Sequence, residues 1–152
     1  MFKAIMLRRI TMERRQFFRL SAAGTVATVL APRAVLAAVP ESPLAGGIYY
    51  TKEAQGRWNG KAGSHLPNLE IGRSAEGVTV QVVTKHEMRG YDHYIVKHVL
   101  LDQKFQVLQE KLFNPQVDQA PMSQFVLKSY SGPLYAVSLC NLHDAWLNVI
   151  EV

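Results

Sequence analysis

The sequence has one cysteine, Cys140, in 152 residues. With no second thiol the chain forms no disulfide within itself, so a small domain of this kind has to hold together without the bridges common in exported proteins. The lone thiol is then a core residue, an intermolecular bridge or a functional ligand. A long apolar run is missing as well: the longest, residues 20–31, is twelve positions, whereas a stable membrane anchor needs about twenty. Also scarce is positive charge outside the first quarter of the chain. The formal net charge is +5, but Lys3, Arg8, Arg9, Arg14, Arg15, Arg19 and Arg33 all precede Ala38 and only Glu13 opposes them. The remaining basic residues are scattered singly among a similar number of acidic ones. Nucleic-acid binding needs a clustered positive surface on the folded part, so nucleic acid is excluded as a partner.

What is present at the start is a basic head, the short apolar run, and small residues up to Ala37. That order is the pattern of a secretory signal with its processing site. Within the head, Arg14-Arg15-Gln16-Phe17-Phe18-Arg19 resembles the twin-arginine motif of the route that exports folded proteins, with translation starting at Met1 or Met12. The expected division is a signal peptide over residues 1–37, an N-terminal extension over 38–57 and a single domain over 58–152. Processing near Ala37 leaves a periplasmic or otherwise exported chain of about 115 residues, enough for one core.

Residues 38–64 are rich in Pro, Gly, Ser and charge and read as loop, with one short strand at residues 47–50. At Gly77 the pattern changes. Val78, Val80 and Val82 alternate with Thr79 and Gln81, the period-two signature of a strand that closes at His86. Further strands are expected at residues 91–101, 105–108 with 112–113 beyond, 123–128, 134–139 and 146–152. Breakers such as Arg89-Gly90, Asn114-Pro115 and Ser131-Gly132-Pro133 separate them. No helical stripe lasts ten residues and no repeat occurs. Short strands with turns every eight to twelve positions predict an all-β, immunoglobulin-like sandwich.

All five histidines, His65, His86, His93, His98 and His143, lie in this domain. Cys140 and His143 stand three apart where a strand ends and the chain turns, so both can converge on one ion. His86 and His93 flank a six-residue loop, and His65 comes from the irregular segment before Pro67. His98, five positions after His93, faces the other side of its strand and reads as a core or surface histidine rather than a ligand. Four imidazoles and a thiolate exceed the tetrahedral demand of structural zinc. They suit a first-row divalent ion with one position open, although ligand type alone does not choose among iron, copper, zinc and nickel.

The segments His65-Leu66-Pro67-Asn68-Leu69, His86-Glu87-Met88, His93-Tyr94-Ile95, Phe113-Asn114-Pro115 and Cys140-Asn141-Leu142-His143-Asp144-Ala145-Trp146 resemble the signature of superoxide reductases of the desulfoferrodoxin and neelaredoxin family. The resemblance implies an immunoglobulin-like sandwich with one mononuclear non-haem iron. His65, His86, His93 and His143 would supply the equatorial nitrogens and Cys140 the axial sulfur, its thiolate tuned by the backbone amides of Leu142 or His143. Superoxide would be the substrate, hydrogen peroxide the product, and a separate protein the electron donor, since no second iron domain is present in the sequence.

Two further departures accompany the resemblance. Gly63-Ser64 precede His65 where the family usually has Glu-Lys. Lys61 or Lys85 would replace the lysine that attracts superoxide, and Glu87 the carboxylate. The His86 to His93 spacing is seven where six is usual. The alternative to superoxide reduction is an iron-binding or electron-transfer protein of the same fold. The domain is expected to be free of the membrane after processing, and a homo-oligomer through an exposed strand edge is a further expectation.

Overall fold

A computed structural model describes residues 38–152; the expected signal segment lies outside the described residues. Eight strands form two sheets. β1 (Tyr49–Tyr50), β4 (Ile95–Leu101), β5 (Val107–Leu112), β7 (Pro133–Cys140) and β8 (Asp144–Glu151) make a five-stranded sheet in the order β1-β8-β7-β4-β5, while β2 (Pro67–Ser74), β3 (Gly77–Thr84) and β6 (Met122–Leu127) make a three-stranded sheet in the order β2-β3-β6. The expected sandwich is therefore present. All pairings are antiparallel except β1 with β8. Among the described residues no helix is long and apolar enough to cross a membrane.

The valine alternation of β3 accounts for the join between the sheets. Val78, Val80 and Val82 are buried and meet Leu100, Phe125, Leu127, Leu134 and Ala136 in the main core, each strand giving every second side chain to the interior. Gly77 permits β3 and β6 to close. A Cβ there would fall 2.2 Å from the Leu127 carbonyl oxygen, at φ +132°.

Several expected boundaries shift. β2 is a strand not expected from the sequence: Pro67, Leu69 and Ile71 alternate with Asn68, Glu70 and Gly72, but the alternation is short and the second half of the strand is exposed. The segment expected to be loop before Ser64 closes into a four-residue helix, α1 (Ala62–His65). β3 stops at Thr84, two residues short of His86, and β4 starts at Ile95, so His93 lies in the loop before it. The expected pieces at 105–108 and 112–113 are one strand, β5, bounded by the turn at Phe105 and the departure of Phe113 to pair with Val96. Because His93 is not in β4, the two histidines share no strand that would turn them to opposite faces. His98 stays apart from the other four by burial: it is fully buried and bonded to hydroxyls.

Candidate metal centre

One end of the sandwich gathers five side chains from four places: His65 from the end of α1, His86 from just beyond β3, His93 from the β3–β4 loop, and Cys140 and His143 from the end of β7 and its turn. His65 Nε2 lies 3.0 Å from His143 Nδ1, His143 Nδ1 lies 3.0 Å from His93 Nε2, and His93 Nε2 lies 3.0 Å from His86 Nε2. The Cys140 sulfur is 3.5 Å from His143 Nδ1 and 3.8 Å from His86 Nε2. The facing atoms of His65, His86, His93 and Cys140 all lie within 4.8 Å of one another. Half the diagonal of a square with the 3.0 Å edges of the three nitrogen pairs is about 2.1 Å, the distance between an imidazole nitrogen and a first-row divalent ion.

The protonation pattern agrees with a cation at the centre. His65 Nδ1 faces the Lys61 carbonyl at 3.1 Å and the Ser64 hydroxyl at 2.8 Å, and His86 Nδ1 faces the Glu87 carbonyl. A carbonyl only accepts, so each Nδ1 carries the proton and each Nε2 turns a bare lone pair inward. Burial favours the neutral rings. Desolvation lowers all four, ahead of repulsion from neighbouring positive groups, and takes His65 down to about 4. For His93 those neighbours are Arg89 and Lys61; for His143, His93 and Lys61. Burial pushes the Cys140 thiol up, and the backbone N–H groups of Leu142 and His143 oppose that by favouring the thiolate. Lone pairs converging without a proton between each pair repel one another, and a divalent ion removes that repulsion. The donor set thus fits a single ion held by His65, His86, His93, His143 and Cys140.

The surroundings are asymmetric. Cys140 packs with Ile95 and Phe113, and Met88 closes against them, so the sulfur sits on a dry floor. His93 and His143 are partly exposed. Asn141 ties the Cys140–His143 turn to the His93 loop: its side-chain amide donates to the Tyr91 and Asp92 carbonyls at 3.2 Å, and its Oδ1 accepts from Tyr94 N at 2.9 Å. Trp146, in the core, donates from Nε1 to the His143 carbonyl at 2.9 Å.

The chain from residue 57 to residue 149 matches the family model described as Desulfoferrodoxin. The chain belongs to the desulfoferrodoxin family. Its relatives include a superoxide reductase of Pyrococcus furiosus, 29% identical over 64% of this chain and 93% of that protein. Among solved structures, the superoxide reductase (neelaredoxin) of Ignicoccus hospitalis is 29% identical with a TM-score of 0.57, and a single-site variant of it is 30% identical with a TM-score of 0.58. Each comparison covers 74% of this chain and 98% of the other. The matched region spans all five converging donors.

The other residues singled out in the sequence stand apart from the five. Lys61 is close enough for its charge to lower His93 and His143, and its carbonyl also orients His65, a main-chain role that residue type does not signal. Lys85 lines a shallow hollow with Ala62, Gly63, Asn68 and Glu70. The Glu87 carboxylate pairs with Arg89, while its carbonyl holds His86. Asp92 is exposed and contributes its carbonyl to Asn141. Sequence reasoning missed Ser64, Asn141, Trp58 and Arg57 as neighbours of the site. Of these only Asn141, inside the Cys140–His143 spacing, carried a signal: asparagine in a turn offers both donor and acceptor.

Proposed function

We propose that this protein is a superoxide reductase of the one-iron kind, exported after folding and supplied with electrons by a separate protein. The observation that carries the reading is the four-nitrogen, one-sulfur group with its sulfur on the buried side and two of its histidines partly exposed. Iron bound there supplies one electron to superoxide, which with two protons becomes hydrogen peroxide. The chain's own residues do the rest. His65, His86, His93 and His143 would hold the ion as neutral nitrogen donors, and Cys140 would give it thiolate electron density, moderated by the amides of Leu142 and His143. Ile95, Phe113 and Met88 keep water from the sulfur.

Lys61 is the residue best suited to attract the superoxide anion, since its charge is felt at His93 and His143. Lys85 is a second candidate, and Glu87, whose carboxylate pairs with Arg89, is the carboxylate whose charge reaches both His86 and His93. The basic head with Arg14-Arg15 and the small residues near Ala37 support a twin-arginine signal over residues 1–37, an extension over 38–57 and a catalytic domain over 58–152, with the mature chain in the periplasm or outside the cell. The exposed edge β5 supports a homo-oligomer.

The experiment is anaerobic purification with metal analysis, then stopped-flow mixing of the ferrous protein with superoxide. Near-stoichiometric iron and a fast bimolecular reaction are expected. Iron-loaded protein reacting no faster than the free ion would leave the alternative, an electron-transfer protein of the same fold, which the engagement of Glu87 with Arg89 favours. Export is tested separately by Arg14→Lys with Arg15→Lys, which is expected to keep the chain in the cytoplasm.

A further inference from the structure

Asp144 stands where the backbone favours glycine. It follows His143 directly, opens β8, and has φ +60°, the left-handed region that side chains disfavour although aspartate tolerates it better than most. Its Oδ2 accepts from Trp58 Nε1 at 2.9 Å and from the Arg57 guanidinium. Arg57 in turn lies over the Trp58 ring, 4.8 Å from its centroid. The indole meets the His143 imidazole edge to face, with centroids 4.6 Å apart and planes at 78°. The segment bearing Arg57 and Trp58 is pinned from behind. Gly56, at φ +46°, lies so close to Gly46 that a Cβ would fall 2.0 Å from the Gly46 carbonyl oxygen.

Stability does not account for this arrangement. The Arg57 and Asp144 side chains are 65% and 39% exposed, ion pairs so exposed add little, and the left-handed backbone offsets part of that. What the trio does fix is the indole. His143 is the donor that needs fixing: it alone presents Nδ1, the nitrogen nearer the backbone, so the plane of its ring is set by whatever lies beside it. Its turn is held by Trp146; its ring meets the His65 and His93 imidazoles at 4.6 and 4.8 Å on the donor side, and Trp58 is the neighbour from outside the donor set.

We propose that Asp144 is a positioning residue of the metal centre, holding Trp58 and Arg57 so that the indole fixes the plane in which His143 presents Nδ1. This role rests on the reading of the five-donor group as an iron site and adds a support outside the donors. Partners of this kind typically change metal affinity about 10–100-fold. The test is Fe2+ titration of the anaerobic chain against a competing chelator, with the electron paramagnetic resonance spectrum of the ferric protein as a second readout. Asp144→Gly removes the acceptor and relaxes the backbone. Its metal-free form is expected to melt no earlier than the metal-free parent, while it binds Fe2+ about ten-fold more weakly, with a broadened ferric spectrum. Trp58→Phe keeps a ring but loses the N–H, and the same broadening is expected; it carries the comparison if the glycine variant folds poorly. Asp144→Asn keeps an acceptor for Trp58 and tolerance of the backbone, and should restore most of the affinity. Unchanged Fe2+ affinity and an unchanged ferric spectrum in Asp144→Gly and Trp58→Phe would overturn the proposal. A parent protein inert to superoxide would instead sink the functional reading and leave this role standing.

Discussion

Cys140 is placed so that its charge state is decided by two opposed influences, burial among Ile95 and Phe113 and the amides of Leu142 and His143. A metal ion tips that balance, because the thiolate rather than the thiol is the ligand. Oxidised, iron-loaded protein is therefore expected to show a visible thiolate-to-ferric band that Cys140→Ser abolishes, with metal affinity at least ~10-fold weaker; an unchanged spectrum would remove Cys140 from the centre. Lys61 is judged by rate rather than spectrum. A single steering charge governs encounter, so Lys61→Ala should slow the reaction of the ferrous protein with superoxide by up to about ten-fold and flatten its dependence on salt, and Lys85→Ala should do less. Stopped-flow rates over a range of ionic strength distinguish them. Lys61→Ala keeps the backbone carbonyl that orients His65, so a slower rate with an unchanged ferric spectrum would separate the charge from the main-chain role.

β3, β4, β6 and β7 are tied beneath the metal end by a buried polar network. Thr84 Oγ1 donates to Ser138 Oγ at 2.9 Å, and His98 bridges Thr84 and Ser123 at 2.9 and 2.8 Å. Burial alone lowers His98 to about 4, so the ring stays neutral in the folded protein while the unfolded chain protonates it at its ordinary value of 6.5. Between those values the unfolded state binds the extra proton. The contribution of His98 is then complete above pH 6.5 and is lost as pH falls towards 4, by about 3 kcal/mol across the window. Denaturant unfolding of wild type and His98→Leu over this range should diverge accordingly. The variant is expected to have the shallower slope and, with the Ser123 hydroxyl left unpaired and Thr84 keeping only its bond to Ser138, to be about 1–3 kcal/mol less stable at neutral pH. Equal slopes would refute the assignment. The same elements show what sequence alone can reveal. β3 and β7 were legible because Val78, Val80 and Val82, and the run before Cys140, bury alternate residues on a strand covered by a second sheet. β2 was not, since its hairpin with β3 leaves most of one half in water and so leaves little hydrophobic period to detect. α1 was hidden for another reason: four residues make one turn, too short for any periodic signal. The residue types and spacings of His65, His86, His93, Cys140 and His143 were readable, but the carbonyls of Lys61 and Glu87 that fix two tautomers were not, because every residue has a carbonyl and only the folded path aims it.

At the scale of the whole domain, the five donors span positions 65 to 143, and the loops carrying them belong to both sheets. The unfolded chain cannot hold them around one ion, so binding to the folded state alone adds to stability by mass action. With iron at about 100 times its dissociation constant the gain is about 2.7 kcal/mol, which for a domain of this size corresponds to roughly 10 °C in Tm. Removal of the metal by a chelator should lower Tm by about that amount under anaerobic conditions, and restoring Fe2+ should recover it. The shift should be much smaller in Cys140→Ser, whose weaker site is less saturated at the same metal concentration, while His98→Leu should keep the full shift on a lower baseline. Metal-free protein should also expose the mutual repulsion of its inward lone pairs, so hydrogen exchange should quicken in the β3–β4 loop and the Asn141–His143 turn before it quickens in the valine core. A Tm indifferent to chelation would mean that the converging side chains hold no ion.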